Sequence, residues 1–150
     1  MTKPLSVTLP GTWELVSRRD VTDAGVERPE PTLGADPVAL LIYDRAGHFA
    51  AQFMKRDRGA VAPSGDAGGG SGRNNSRAQG GYDAYFGTYA VDDSENTVTQ
   101  TLTAALSQEN VGQTLTRAMT VAGDELTIQL ATVAATGEPV TRTLRWRRVG

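Results

Sequence analysis

Polar and apolar side chains alternate with a period of two along most of this chain. TVTQTLTAALS (97–107) sets threonine against larger residues, QTLTRAMTV (113–121) continues in that style, and ELTIQLAT (125–132) repeats it. The spacing belongs to half-buried strands, which β-branched residues such as threonine favour. No stretch carries a capped apolar stripe of helical period. The pattern predicts strands over 12–19, 38–44, 48–54, 83–91, 97–106, 113–121, 125–133 and 140–148. Turn chemistry separates them at Asp44-Arg45-Ala46-Gly47, Asp92-Asp93-Ser94-Glu95-Asn96, Gly123-Asp124 and Thr136-Gly137-Glu138-Pro139. Eight antiparallel strands in succession make an all-β fold, either an up-and-down barrel or a two-sheet sandwich. With 150 residues, no internal repeat and no composition boundary, the chain reads as one domain, 1–150.

The connections fall into two classes. The first, third, fifth and seventh (20–37, 55–82, 107–112 and 134–139) are longer, and the others are tight turns. In an up-and-down meander odd and even connections lie at opposite ends. One end is then closed and the other is ringed by loops, which is where binding residues gather. Within the third connection, residues 59–81 are rich in glycine and have no apolar period. They are expected to form a flexible loop that folds over the mouth when ligand binds.

Charge and composition narrow the chemistry. Fifteen basic residues against 17 acidic ones give a net charge of −2, which argues against a nucleic-acid partner. Without cysteine there is no disulfide framework or thiolate nucleophile, and a single histidine, His48, leaves no His-rich metal site. The expectation is no metal and no cofactor. The tract GDAGGGSGR lacks both the GK[ST] ending of a phosphate loop and the spacing of a dinucleotide fingerprint. No apolar run has the length of a signal peptide or a membrane span, so a soluble, cytoplasmic protein is expected.

Tight turns also set the strand registers. Around Gly123-Asp124, Val121 should face Leu126, Met119 should face Ile128, and Arg117 should face Leu130. Strand 97–106 then turns Val98, Gln100, Leu102, Ala104 and Leu106 inward. Across the 92–97 turn Val91 pairs with Val98 and Tyr89 with Gln100, which puts Tyr85 on the same inner face. Gln100 and Arg117 are thus polar residues on apolar faces, and each requires a partner: Tyr89 for Gln100, a carboxylate or water for Arg117, or a ligand for both. No carboxylate falls clearly inside. The 44–47 turn pairs Tyr43 with His48 and Ile42 with Phe49. With Leu40, Ile42, Phe49 and Phe53 in the core, His48 and Gln52 face out; the opposite phase brings Tyr43, His48 and Gln52 into the cavity.

Gly11-Thr12-Trp13 opens the first strand and Leu144-Arg145-Trp146-Arg147-Arg148 closes the last, both at the closed end. A Gly-x-Trp facing a late arginine resembles the lipocalin arrangement, and Arg148 is the arginine to place near Trp13. The stretches GTWELVS, LLIYDRAGHFAAQFMKRDR, GYDAYFGTYAVD, SQENVGQTLTRAMTVAGDELTI and TLRWRR together resemble the bacterial and fungal lipocalin-like domain family. That resemblance implies a small antiparallel barrel with a cavity for a small organic molecule. Gln100 stands where members often carry a histidine, so no acid–base role carries over from it.

Two functional readings follow. In the first the barrel binds a small, largely apolar molecule through Tyr85, Tyr89, Gln100, Leu102, Leu115, Arg117, Met119 and Ile128. In the second it is a cofactor-independent cyclase or isomerase, with Arg117, Tyr85 and Tyr89 as catalytic candidates. A purely structural protein would instead have a filled interior. Free space below about 100 Å³ would leave no room for the roughly 300 Å³ or more of a ligand site.

Overall fold

The computed structural model describes residues 3–57 and 78–150, so most of the 59–81 segment lies outside the described residues. Helix α1 (Leu5–Thr8) precedes β1 (Gly11–Thr22), β2 (Glu27–Arg28), β3 (Val38–Tyr43), β4 (His48–Met54) and β5 (Tyr82–Asp92). After these come β6 (Thr97–Ala105), a 3-10 turn (Gln108–Asn110), β7 (Thr114–Ala122), β8 (Glu125–Val133) and β9 (Pro139–Arg148). From β3 to β9 each strand pairs antiparallel with the next, and β1 pairs with both β3 and β9. Eight strands therefore close into an up-and-down barrel with no open edge. The extra strand β2 is a two-residue flap on the end of β1, joined at Asp20↔Arg28 and Val21↔Glu27. Both it and α1 were absent from the sequence reading.

Short turns after β3, β5 and β7 mark one end, and the segments after β1, β6 and β8 lie at the other, where β4 ends and β5 begins. The closed end is dry and densely packed. Trp13 has no exposure and Trp146 has 1%, and the two lie one inward step apart along the paired strands β1 and β9. Arg148 sits 4.3 Å over the Trp13 ring, the expected cation–π contact. Its guanidinium also donates to the carbonyls of Thr8 and Pro10. Gly11 is required here, because a Cβ at its φ of 151° would strike the Arg148 guanidinium and the Gly150 carbonyl. Below the tryptophan, α1 carries buried Leu5 and leads to Leu9, whose carbonyl accepts the Trp13 indole N–H at 3.0 Å. Ser6 ties the helix to Asp93 in the β5–β6 turn through its backbone N–H and its hydroxyl.

The registers expected around Gly123-Asp124 and across the 92–97 turn are those observed. The β3–β4 hairpin differs. Tyr43 pairs with Phe49, not His48, and Ile42 pairs with Ala50. Asp44 N–H bonds the His48 carbonyl, so three residues rather than two span the turn, with Gly47 in the left-handed region at φ 95°. That extra residue inverts β3: Ala39, Leu41 and Tyr43 point inward, while Val38, Leu40 and Ile42 point out. His48 and Gln52 do face solvent, as expected.

Two β-bulges make further corrections. One lies between Phe86 and Gly87 on β5, opposite Thr103, where a Cβ on Gly87 would collide with the Thr101 carbonyl. Beyond it the phase of β6 flips, so Ala105 packs against the core and Leu106 is exposed, instead of Ala104 and Leu106 pointing in. The other bulge, between Leu15 and Ser17 on β1, turns Arg18 and Asp20 into the barrel.

Candidate functional site

Above the tryptophans the interior becomes polar. Arg18, Asp20, Asp83, Gln100, Arg117 and Arg142 are all buried on the inner faces of five strands. Arg142 and Asp20 are neighbours across β1 and β9 and form a two-pronged ion pair at 2.8 and 3.0 Å. Arg18 pairs with Glu30 at 2.7 Å. Burial alone would push the Glu30 carboxyl up, but Arg18 and the hydrogen bonds from Thr32 outweigh it and hold it below its ordinary value. Glu30 also accepts from the Leu33 N–H, and this organises the 29–37 segment so that Leu33 drops into the mouth with 2% exposure. Lys55 and Arg56 hold the outside of that segment through the Pro31 carbonyl and Asp36.

Between Leu33 and the tryptophans lies a cavity of about 50 Å³. Arg117 is set on its wall by the inward phase of β7, with Tyr85 from β5 and Gln100 from β6. Gln100 donates to the Tyr43 hydroxyl at 2.6 Å, so its partner is Tyr43 and not Tyr89. Burial keeps the Tyr43 hydroxyl protonated far above its ordinary range. The arginine is different. It is 7% exposed, its Nη1 makes only a long 3.4 Å contact with the Thr116 carbonyl, and its Nη2 is buried with no partner. Burial lowers its pKa, partly offset by the nearby Tyr85 and Tyr43. With Asp20 and Glu30 committed to Arg142 and Arg18, no carboxylate among the described residues pairs with Arg117.

Of the residues singled out from sequence, Tyr85, Gln100, Arg117, Met119 and Ile128 line this cavity. Leu102 and Leu115 are buried but lie outside its lining, and Tyr89 sits at the closed end with its hydroxyl on the Asp44 carbonyl at 2.5 Å. The sequence reading placed no carboxylate inside, whereas Asp20 and Asp83 are both buried. Asp83 has no exposure, and its Oδ2 is unpartnered. Burial pushes its pKa up to about 7, against the pull of the Ala84 N–H and Arg18. It shares the inward phase of Tyr85, so strict alternation along β5 was the signal for it.

A cavity of this size falls below the 100 Å³ limit set above. As it stands, the interior has room for water-sized groups and not for a ligand of drug size. Arg18 lines both this cavity and a second groove of about 190 Å³ under the 27–35 segment. Among the described residues no group of His, Asp and Glu is placed to hold a metal ion, and no helix is long and apolar enough to cross a membrane.

The family described as a lipocalin-like domain matches residues 10–149, nearly the whole chain, and the protein belongs to it. No curated protein matches the chain.

Proposed function

We propose that this lipocalin-like barrel binds a small organic molecule with a largely apolar body and an anionic or oxygen-rich head, and that the head is held by Arg117. The observation carrying this reading is the buried Arg117 guanidinium with its unpartnered Nη2 on the cavity wall. An arginine cannot shed its charge, and leaving a buried charge unpaired costs several kcal/mol, so acceptors delivered by a ligand offset a real penalty. The 50 Å³ cavity fits a head group. The body then takes the space that Leu33 fills, with the Arg18–Glu30 pair parting to admit it.

Calorimetric titration with straight-chain carboxylates from acetate to octanoate tests this. Wild type is expected to bind, and Arg117→Met to bind roughly 10- to 150-fold more weakly while still folding, the range of a charge-assisted hydrogen bond. Leu33→Ala should favour the longer acids more than acetate. Equal binding by Arg117→Met, or no binding by wild type together with a bare mass on native mass spectrometry of fresh protein, would reject the reading.

A second reading is a cofactor-independent cyclase or isomerase, in which Arg117 steadies the developing oxyanion and Tyr85 supplies a proton, both from the cavity wall. The test returns the molecule recovered from fresh protein to ligand-free chain. Conversion by wild type but not by Tyr85→Phe supports catalysis, and unchanged recovery leaves binding alone.

A further inference from the structure

The outward face of the barrel is not uniform. On β6 and β7 it is a threonine ladder, with Thr99 bonded to Thr116 at 3.2 Å and Thr101 to Thr114 at 3.3 Å. On β3, β4 and β5 most outward positions are apolar, with Gln52, His48 and Thr88 the exceptions among those that pair. The register lines up Ile42, Ala50, Phe86 and Ala104 in one row, Leu40, Gln52 and Ala84 in the next, and Val38, Met54 and Tyr82 in a third. Val38, Leu40, Ile42, Phe86 and Leu106 are 38–53% exposed. On the adjoining β1 edge, Glu14 lies beside Leu40, lines the groove of this face and is paired with Arg147.

We infer that this face is a self-association surface for a second copy of the same chain, related by a two-fold axis. A two-fold interface must be complementary to itself. Phe86 stands between Ala50 and Ala104, and beside it runs a groove of about 360 Å³ walled by Leu40, Ile42, Ala50 and Met54 together with Glu14, Gln52 and Tyr82. Knob and groove share one patch, so each copy's Phe86 enters the other's groove. Glu14 is the carboxylate on that lining, and its pairing with Arg147 offsets the repulsion that like patches would otherwise meet. The chain's own 58–77 segment is a poor occupant, since Val61 is its one large aliphatic residue.

Size sets the strength. Strands about 4.8 Å apart and outward residues about 6.8 Å apart give a footprint of roughly 20 by 20 Å. Two such faces bury about 800–1,000 Å² together, below the roughly 1,200 Å² of stable interfaces and in the range of weak, transient ones, so association is expected only at high concentration.

Sedimentation velocity of the full chain across roughly 5 to 500 µM reads this directly. Wild type should pass from monomer to dimer, while Phe86→Asp and, separately, Leu40→Asp stay monomeric with melting temperatures near wild type. Thr99→Asp on the threonine face should dimerise like wild type. A wild type that remains monomeric throughout, or a Phe86→Asp chain that associates as wild type does, overturns the inference. So does a monomeric wild type that co-floats with anionic vesicles, which would assign the face to a membrane surface. Loss of association in Thr99→Asp alone would place the contact on the other face and overturn it as well.

Discussion

The two halves of the barrel interior are built on opposite terms. At the closed end Arg148 lies on Trp13 and donates to two carbonyls, and the Trp13 indole N–H reaches Leu9, which leaves the Trp146 indole N–H, facing the cavity, as the buried group there without a partner. In the mouth half, Arg117 Nη2, Asp83 Oδ2 and both amide atoms of Asn110 are buried without partners. Each such group costs on the order of 1–3 kcal/mol. A fold holds that many only where something other than stability is served. The closed end thus supplies the stability against which the mouth half is strained, and mutations in the two halves should act in opposite directions.

The largest effect belongs to the closed end. Trp13→Ala removes the most buried ring in the barrel and strands Arg148, and should cost about 3–5 kcal/mol. Urea unfolding measures it, and a loss below about 1 kcal/mol would break the comparison at its stronger side.

In the mouth half, Asp83→Asn should stabilise relative to wild type increasingly above about pH 4, and in full from about pH 7. The carboxyl titrates at about 7 in the fold against about 3.9 unfolded, so the native state holds the proton more tightly. The associated stability is whole below about pH 4 and is lost as pH rises through 7, a swing on the order of 4 kcal/mol. Unfolding free energies of wild type should therefore fall between about pH 4 and pH 7 more steeply than those of Asp83→Asn. Parallel profiles would show that Asp83 is not strained.

Arg117→Met comes next. It replaces an unpaired buried cation by an apolar chain of similar length, and exchanges of this kind are neutral to stabilising by about 1–2 kcal/mol. Destabilisation beyond about 1 kcal/mol would mean that Arg117 has a structural partner after all, and would remove the main support for a ligand there.

The same division shows in what the sequence disclosed. The hairpins at 92–97 and Gly123-Asp124 and the inward turn of Gln100 and Arg117 follow from unbroken alternation, while the Arg148–Trp13 contact was what the lipocalin resemblance implied. What escaped sits beyond an irregularity. Leu15-Val16 are adjacent apolar residues, and the bulge they mark carries Arg18 and Asp20 from the outer face to the inner one. The bulge at Thr103 exposes Leu106, and the three-residue turn after Asp44 exposes Leu40 and Ile42. A period-two argument loses its phase at each inserted residue. The polar interior and the apolar outer face were hidden for one reason. The Leu33 plug was hidden for another, since it depends on Glu30 gathering the Arg18 guanidinium and the N–H groups of Thr32 and Leu33 from a segment with no period at all.

The smallest effect concerns the chain's single histidine. His48 is exposed at the closed end, and its Nδ1 lies 3.4 Å from Asp44 with both side chains in water. Such pairs are worth about 0–1 kcal/mol, so His48→Ala should change stability by no more than about 0.5 kcal/mol. Asp44 does more through its Oδ1, which accepts the backbone N–H groups of Ala46 and His48 and fixes the turn that sets the β3 phase. Asp44→Ala should cost about 1 kcal/mol even in a chain already carrying His48→Ala. Equal losses from the two single changes would mean that the pair, and not the turn, is what counts. Lost carboxylate binding in His48→Ala would place chemistry at the closed end and undo the contrast between the halves.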